Sequence, residues 1–430
     1  MKIHNSFINL KTLRNKDINY NYLKWFNNKD VYDYIDNIPK NLNDIKSQVK
    51  FIKNKKNSIL YGIFYKNLHI GNLNVRDMDF KNSSATIGIL IGNKKYRSKG
   101  ISKIVFSILK KKFLKKKIYI FNLGVDKNNL RAVKAYKKSG FKVINNSKKI
   151  LRMQYNYFKS KLILGGSQFN SNYGITNKKV QTTNEAKKIL EFCKKNVIDH
   201  IDLAEKYIIS KNIKILKKRI YKVDTKIFLD DINNKNLSKI LYKKYKSFYL
   251  DTLFIHDGDN IVNNNNKYKI KILNVLKKKK IIKKIGISIY NVKLIPRLIK
   301  EFKFDVIQVP YNLLDRRIEK YQKYLEKKNI KIYARSIFLQ GILLKDLKNS
   351  QIMSSIFNKI RKSKKYKNQT NLNMSLNFVY SNQYIDKILI GVKNLSELKK
   401  IFKTKLNFSI NKIEFNKKEI KFAEDPRRWS

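Results

Sequence analysis

The sequence predicts an α/β protein in two parts: a mixed sheet-and-helix unit over residues 1–156, then a (β/α)8 barrel over residues 161–430. Three observations lead there. Beyond Lys161, eight short apolar runs alternate with longer stretches of helical character, a count that suits a closed barrel better than an open doubly wound sheet. Before Tyr155, the strand-like runs are irregularly spaced and two of them are set to pair as a hairpin, which suits a sheet with helices packed on it. Between the parts, Tyr155–Lys161 is a short polar and aromatic join without Gly or Pro, so the units are closely tethered.

At 430 residues the chain is long for one domain and comfortable for two. A hydrophobic share of 42% with 12% aromatics supports real cores and argues against disorder. Lys+Arg 97 against Asp+Glu 31 gives a formal net charge of +66, which would ordinarily announce a polyanion partner. The lysines, however, are spread through nearly every segment, including those between Lys110 and Lys117 and from Lys277 to Lys280. That spread reads as chain-wide compositional bias and solvated helix surfaces, so nucleic acid is not the expected partner. The charge would still draw in small anionic substrates. A basic nucleic-acid-binding protein without catalysis stands as the non-enzyme alternative.

Cys193 is the only cysteine, so no intrachain disulfide can form and a reducing cytoplasm is the expected home. Its neighbours Leu190 and Phe192 mark it as a packed helix residue. Met1 to Asn15 lacks the apolar core of a secretory signal, and no apolar stretch is long enough to span a membrane.

In the first unit, Ile59–Tyr65 and His69–Val75 are expected strands around a turn at Lys66 and Asn67. Ala85–Ile91 is the next strand. It leads through Tyr96-Arg97-Ser98-Lys99-Gly100-Ile101-Ser102 into an amphipathic helix, Ile104–Phe113. A glycine and a small residue at a strand-to-helix turn let backbone N–H groups converge on an anion, and the helix dipole adds to the attraction. After a strand at Ile118–Val125, Asn129, Ala132 and Tyr136 fall along one helical face and Gly140 ends the helix. Alone, that spacing also describes an ordinary packed helix with a glycine cap.

The turn and the helix together resemble the acyl-CoA motifs of the GNAT N-acetyltransferases over roughly residues 1–155. The resemblance implies acetyl-CoA, its pyrophosphate held by the backbone amides of Arg97, Ser98, Lys99, Gly100, Ile101 and Ser102. It further implies that Asn129 lies near the pantetheine arm and that Tyr136 protonates the departing thiolate. Two positions depart from the family pattern. Ser102 stands where Gly or Ala is usual, and Thr86, in Ala85-Thr86-Ile87-Gly88, stands where many relatives carry an acid. The amine proton therefore needs another acceptor. Leu23-Lys24-Trp25-Phe26-Asn27-Asn28 is similar to the opening of members that acetylate amino groups on nucleotide-linked deoxysugars, and equally of members that act on protein N-termini.

In the second unit the expected strands are Leu162–Gly165, Ile198–Asp202, Val223–Ile227, Leu253–His256, Lys284–Ser288, Val306–Val309, Ile332–Ser336 and Lys387–Ile390. The tract from Ser350 to Asn371 reads as a helix-rich excursion before the last repeat. Three runs deliver ionisable residues: Asp202, with Tyr207 five residues on, then Lys226, then His256. In a barrel of alternating strands and helices the C-terminal strand ends share one mouth. Asp, Tyr, Lys and His gathered there make a proton-transfer set, because a cation lowers the pKa of a tyrosine hydroxyl. Taken singly, Asp202 reads as a helix cap, Lys226 as solvated and His256 as a core residue; their order at consecutive strand ends favours a site. His200 and His69 have no such company and read as structural. No His/Cys cluster has metal-ligand spacing, so no metal is expected.

The second unit resembles the aldo-keto reductase family over nearly its whole length. The resemblance is carried by Leu164-Gly165-Gly166-Ser167-Gln168-Phe169, the run from Ile201 to Tyr207, Thr225-Lys226 and Ile255-His256-Asp257. It continues through Ile285-Gly286-Ile287-Ser288, the run from Ile307 to Asn312, Ala334-Arg335-Ser336 and Leu339-Gln340-Gly341. The closing Asp425-Pro426-Arg427-Arg428-Trp429 is similar to tails of a bacterial branch found among surface-sugar genes. The resemblance implies a TIM-barrel reductase in which Tyr207 protonates the carbonyl oxygen. Lys226 lowers the Tyr207 pKa, Asp202 holds Lys226, and His256 hydrogen-bonds the carbonyl. Ser288 and Gln308 match positions that grip the nicotinamide amide, while Ile289 stands where Asn is usual. Arg335 occupies the position where relatives stack an aromatic on the nicotinamide; its guanidinium could stack or bind an anionic substrate. Gly391-Val392-Lys393 opens the cofactor-phosphate turn, with Lys393 favouring NADP over NAD.

The expected protein is a bifunctional enzyme, an acetyl-CoA-dependent N-acetyltransferase joined to an NADP-dependent carbonyl reductase. Its expected substrates are small molecules, nucleotide-linked or free amino or keto sugars, in surface-glycan synthesis. The enzyme-class alternative is a working reductase with a degenerate CoA-binding unit.

Overall fold

The computed structural model describes residues 7–35, 37–166, 182–196, 198–204, 221–233, 236–237, 239–241, 249–262, 266–344, 351–362, 369–404 and 413–424. The chain divides into two compact units, Met1–Ser160 and Lys161–Ser430.

The first unit runs β1 (Ile8–Thr12), α1 (Tyr20–Leu23), α2 (Lys29–Tyr32), α3 (Leu42–Asn54), β2 (Ile59–Tyr65), β3 (Leu68–Asp79) and β4 (Ser84–Leu90). It continues with α4 (Ile101–Leu114), β5 (Ile120–Asp126), α5 (Leu130–Lys138), β6 (Lys142–Asn146), β7 (Ile150–Asn156) and α6 (Tyr157–Lys161). The strands form one seven-stranded sheet in the order β1-β2-β3-β4-β5-β7-β6. Lys66 and Asn67 both take positive φ, 46° and 69°, which gives the two-residue turn that closes the β2–β3 hairpin. Strand alternation sorts the two faces. Phe121, Leu123 and Val125 of β5 and Met153 and Tyr155 of β7 are buried, and Phe106 of α4 packs 4.9 Å from the Tyr155 ring and 4.7 Å from Phe141. Elsewhere Tyr22, Trp25, Ile45 and Val49 from the first three helices pack with Leu60 and Phe64 of β2. Each fully buried side chain of this size stabilises the fold by roughly 1.5–3 kcal/mol.

One junction breaks the antiparallel pattern. β4 and β5 run parallel and pair only from Ser84 to Thr86, although β4 continues to Leu90 and β5 to Asp126. Past that point the two strands are not paired with each other. β1, β7 and the edge strand β6 were not expected; of these, Lys142-Val143-Ile144-Asn145-Asn146 is exposed over most of its length and lacks apolar alternation. The expected join is in fact the end of β7 followed by the short helix α6.

The second unit runs β8 (Leu162–Gly165), α7 (Thr183–Lys195), β9 (His200–Ala204), β10 (Lys222–Ile227), β11 (Tyr249–Ile255), α8 (Lys267–Lys278), β12 (Lys284–Ser288), α9 (Ile295–Glu301) and β13 (Val306–Pro310). Then follow α10 (Gln322–Lys327), β14 (Lys331–Arg335), α11 (Gln351–Lys362), α12 (Asn371–Ser381), β15 (Ile385–Ile390), α13 (Leu395–Lys403) and α14 (Lys417–Glu424). Eight strands close a barrel in the order β10-β11-β12-β13-β14-β15-β8-β9, every neighbouring pair parallel. Ile163, Phe254, Val306 and Tyr333 form a buried cluster of barrel-strand side chains. A Cβ at Gly286 would meet the Phe254 ring at 2.4 Å, so the glycine makes room for that aromatic.

Several strand limits differ from expectation. β9 spans His200–Ala204 rather than Ile198–Asp202, β15 begins two residues early, at Ile385, and β11 begins four residues early, at Tyr249, and stops one short of His256. The early start passes through Asp251 and Thr252, polar residues that are buried because the barrel supplies their partners. Towards the N-terminal strand ends, His200 Nε2 lies 2.9 Å from Asp224 Oδ2, and Lys284 Nζ lies 2.6 Å from Asp251 Oδ2 and 3.4 Å from the Tyr333 hydroxyl. Cys193 is buried on α7, and burial pushes its thiol up to about 12, so it stays protonated and inert.

Candidate active site

Asp202 on β9 and Lys226 on β10 reach the C-terminal side of the barrel on neighbouring strands. The Lys226 ammonium bonds Asp202 Oδ1 directly, with only 10% and 5% of the two side chains exposed. Gln308 Nε2, on β13, donates to the other carboxylate oxygen at 2.9 Å. Both oxygens of Asp202 are thus held. Lys226 Nζ also lies 5.9 Å from the Phe254 ring centroid. Asp202 therefore acts as a counter-ion, and neither the helix-cap reading nor the solvated-lysine reading fits this pair.

His256 is the first residue after β11. Its backbone N–H donates to Ile227 O at 2.8 Å, and its ring packs 4.7 Å from Phe228. Crowding by surrounding protein, then the charges of Lys226 and Arg335, hold the imidazole pKa below its ordinary value. The ring is accordingly neutral at pH 7, able to donate from one nitrogen and accept at the other. Its edge is open to solvent, which rules out the core-histidine reading.

Ser288 ends β12, is buried, and stands in register with Gln308. Gln308 makes a contact that the sequence did not signal. Its amide nitrogen is committed to Asp202, while its Oε1 is buried and has no hydrogen-bond partner. An orphaned acceptor beside a buried hydroxyl fits a carboxamide, so these residues suit a nicotinamide ring. Arg335 ends β14, its guanidinium 3.9 Å from the Tyr290 ring centroid and its Nη2 donating to Ile289 O at 3.3 Å. Tyr207 lies outside the described residues, as do Ser167, Gln168, Phe169 and the segment 425–429.

At the end of β15, Gly391 is exposed and Lys393 partly buried. The Lys393 N–H donates to Glu397 Oε2 at 2.7 Å, and Asn394 caps α13 by accepting from Glu397 N–H at 2.9 Å. Glu185 of α7 reaches the same turn, its Oε1 accepting from Leu395 N–H at 2.5 Å. Two carboxylates thus already answer the helix dipole there. The Glu185 contact spans 210 positions, and nothing in the local sequence signals it.

In the first unit, Ser98 and Gly100 adopt positive φ of 59° and 76°, and no side chain caps α4. A Cβ built on Gly100 would project into open space with no atom within 4 Å. This concave turn at an uncapped helix N-terminus suits a pyrophosphate. The Arg97 side chain is a brace for that loop: Nε donates to Ile91 O at 2.9 Å, Nη2 to Gly92 O at 2.8 Å and Nη1 to Asn28 Oδ1 at 3.3 Å. Lys99, Ile101 and Ser102 complete the turn into α4. Asn129 is the N-cap of α5, its Oδ1 accepting from Ala132 N–H at 3.0 Å, so the capping side of its amide is committed locally. Tyr136 is buried and hydrogen-bonds the backbone of Ile89, in the stretch of β4 that β5 leaves unpaired. Burial raises its pKa, which keeps the phenol protonated. Thr86 stands in register with Asn122, whose Oδ1 accepts from Gln154 Nε2 at 3.0 Å. No carboxylate occupies that junction among the described residues.

His69 packs between Trp25, at 4.8 Å, and Phe64, at 5.1 Å, and hydrogen-bonds Asn72 at 2.9 Å, a structural setting. The barrel does bring His200, Asp224 and Asp251 together, with ligand atoms within 4.8 Å of one another. The ammonium groups of Lys284 and Lys283, at 2.6 and 3.5 Å from Asp251, already compensate that charge.

Comparison with known proteins adds two family matches. The model of the aldo/keto reductase family matches residues 161–421, and that of the acetyltransferase (GNAT) domain matches residues 10–162. The chain is similar to spermidine N-acetyltransferase from Vibrio cholerae, solved with CoA and spermine, at 16% identity and a TM-score of 0.32, over 35% of this chain and 96% of that one. It is also similar to a domain from Methanocaldococcus jannaschii at 20% identity and a TM-score of 0.30, over 35% of this chain and 97% of that one. No curated protein matches. No helix among the described residues is long and apolar enough to cross a membrane.

Proposed function

The chain belongs to the aldo/keto reductase family and carries a GNAT acetyltransferase domain, and from these we propose an NADP-dependent carbonyl reductase joined to an acetyl-CoA-dependent N-acetyltransferase. The observation that carries the reductase is the Lys226–Asp202–Gln308 arrangement. It fixes a cation at a strand end with its counter-ion fully bonded, so the cation is oriented and not quenched by motion. In this reading Tyr207 gives its proton to the carbonyl oxygen, and the Lys226 charge makes that phenol a stronger acid. The neutral His256 ring donates a hydrogen bond to the same oxygen and orients the carbonyl. The nicotinamide dinucleotide supplies hydride when bound. Ser288 and the free Oε1 of Gln308 would hold its carboxamide, Gly391 would leave room for its backbone approach, and Lys393 would meet the 2′-phosphate.

In the first unit the amides from Arg97 to Ser102 would hold the CoA pyrophosphate, and the protonated Tyr136 would serve the leaving sulfur. The acceptor in this reading is the amino group of a free or nucleotide-linked sugar, made for a surface glycan in a reducing cytoplasm. The similarity of segment 425–429 to tails of surface-sugar relatives supports it, while the pattern of Leu23–Asn28 fits nucleotide-linked amino sugars and protein N-termini alike. Working domain limits are 1–156 and 161–430. The neutral junction of Thr86, Asn122 and Gln154 favours one second reading, in which the first unit binds acetyl-CoA without transferring it.

Tyr207→Phe tests the proposal. It should slow NADPH-dependent carbonyl reduction by roughly a hundredfold or more while NADPH titrations stay unchanged. Full activity in that variant refutes the assignment. Acetyl-CoA binding by calorimetry without acetyl transfer to an amino sugar would select the second reading.

A further inference from the structure

Among the described residues at the C-terminal strand ends, the carboxylates are already engaged. Asp202 is taken by Lys226 and Gln308. Asp257 turns inward to accept from Leu229 N–H at 2.9 Å, and Asp259 accepts from the N–H groups of Tyr290 and Asn291, both at 3.0 Å. Among the described residues, none of these carboxylates pairs with Arg335. Its guanidinium carbon instead lies 3.9 Å from the Tyr290 ring centroid, Nη2 bonds one neutral carbonyl, Ile289 O, and the buried Nε has no hydrogen-bond partner. Lys226 and His256 belong to the ends of neighbouring strands, β10 and β11, and Arg335 ends β14 of the same closed barrel, so all three lie at the C-terminal strand ends.

A guanidinium held at an aromatic ring, with its Nε unused and no counter-ion among the described residues, is prepared for an oxyanion. The contact with the Tyr290 ring and the hydrogen bond to the Ile289 carbonyl fix its orientation in advance, so little side-chain freedom is lost when the anion arrives. We propose that Arg335 is a specificity-determining residue that binds an anionic group, carboxylate or phosphate, on the carbonyl substrate. This rests on the reductase reading above. It assigns the substrate class to carbonyl compounds carrying negative charge, and it gives Arg335 to the substrate and not to the dinucleotide.

The test uses the full chain with NADPH and three aldehydes: glyceraldehyde, which is neutral, glyceraldehyde 3-phosphate and succinic semialdehyde. The wild type should favour at least one anionic aldehyde in kcat/KM, and the favoured one identifies the anion as phosphate or carboxylate. Arg335→Gln should lower the anionic-to-neutral ratio by about tenfold to a hundredfold, chiefly through KM, as loss of a charge-assisted hydrogen bond requires. Arg335→Lys, which keeps the charge but not the plane, should restore part of that ratio. A wild type without preference for either anion overturns the proposal. So does a ratio unmoved in Arg335→Gln while NADPH titrations weaken, which gives Arg335 to the dinucleotide. A wild type that oxidises NADPH with none of the three aldehydes overturns the reductase reading itself and this proposal with it.

Discussion

Removing the Lys226 ammonium should destabilise the barrel locally by an amount that separates a buried ion pair from a surface one. In Lys226→Met the aliphatic stem keeps most of its packing, including the approach to Phe254, but among the described residues the Asp202 carboxylate keeps only the Gln308 amide. With Asp202 at 5% exposure, water cannot replace the lost partner. Breaking a buried pair from one side costs about 3–5 kcal/mol, against roughly 0–1 kcal/mol for an exposed pair. The double variant Asp202→Asn, Lys226→Met removes the stranded charge and should recover most of the loss, for a coupling of about 2–3 kcal/mol. A global melt would mix two units, so the measurement is native-state hydrogen exchange on the amides of β9 and β10, which reports local opening free energies. A single-variant cost below about 1 kcal/mol, or a double variant no better than the single, would refute the view of Asp202 as a buried counter-ion.

Gly100→Val should abolish acetyl-CoA binding by calorimetry, since φ of 76° suits glycine and the new side chain would fill the space a pyrophosphate needs; NADPH oxidation should be untouched, and undiminished acetyl-CoA binding would remove the turn from the site. Lys387 supplies a pH test. Burial first, then the nearby Lys222 and Lys284 charges, pushes its pKa down to about 8, below the value of an unfolded lysine. Between the two values the unfolded chain binds the extra proton, so this term makes the barrel more stable as pH rises through the window and is a constant cost below it, up to about 3 kcal/mol. Urea unfolding read on barrel peptides by limited proteolysis and mass spectrometry, from pH 7 to 10, should show a steeper rise in wild type than in Lys387→Met; equal slopes would remove Lys387 as its source.

Most of the barrel was legible because strands buried on both faces read as continuous apolar runs. Asp202, Lys226 and His256 were legible for a related reason: each is an ionisable residue that interrupts or closes such a run. The early start of β11 was not, since Asp251 looks like a loop residue until Lys284 is seen 2.6 Å from it. Edge strands β1 and β6 escaped because an exposed edge needs no apolar pattern to pair. Asn129 adds a contact that its spacing to Tyr136 did not signal, since its side-chain oxygen caps the helix.

By itself the sequence determined the kinds and order of elements, the lone thiol, the excess of cations and the residues able to move protons at strand ends. These depend on periodicity and chemistry within a few residues. Tertiary structure alone decided that Gln308 holds Asp202 across 106 positions and that Glu185 occupies the turn beside Lys393 across 210. It also decided that Arg335 rests at the Tyr290 ring with its Nε unused, and that Gly286 gives way to Phe254. The reason is geometric. Hydrogen bonds and ring contacts act over a few ångströms, and residues this far apart in the chain come within that range only when the parallel strands close into a ring.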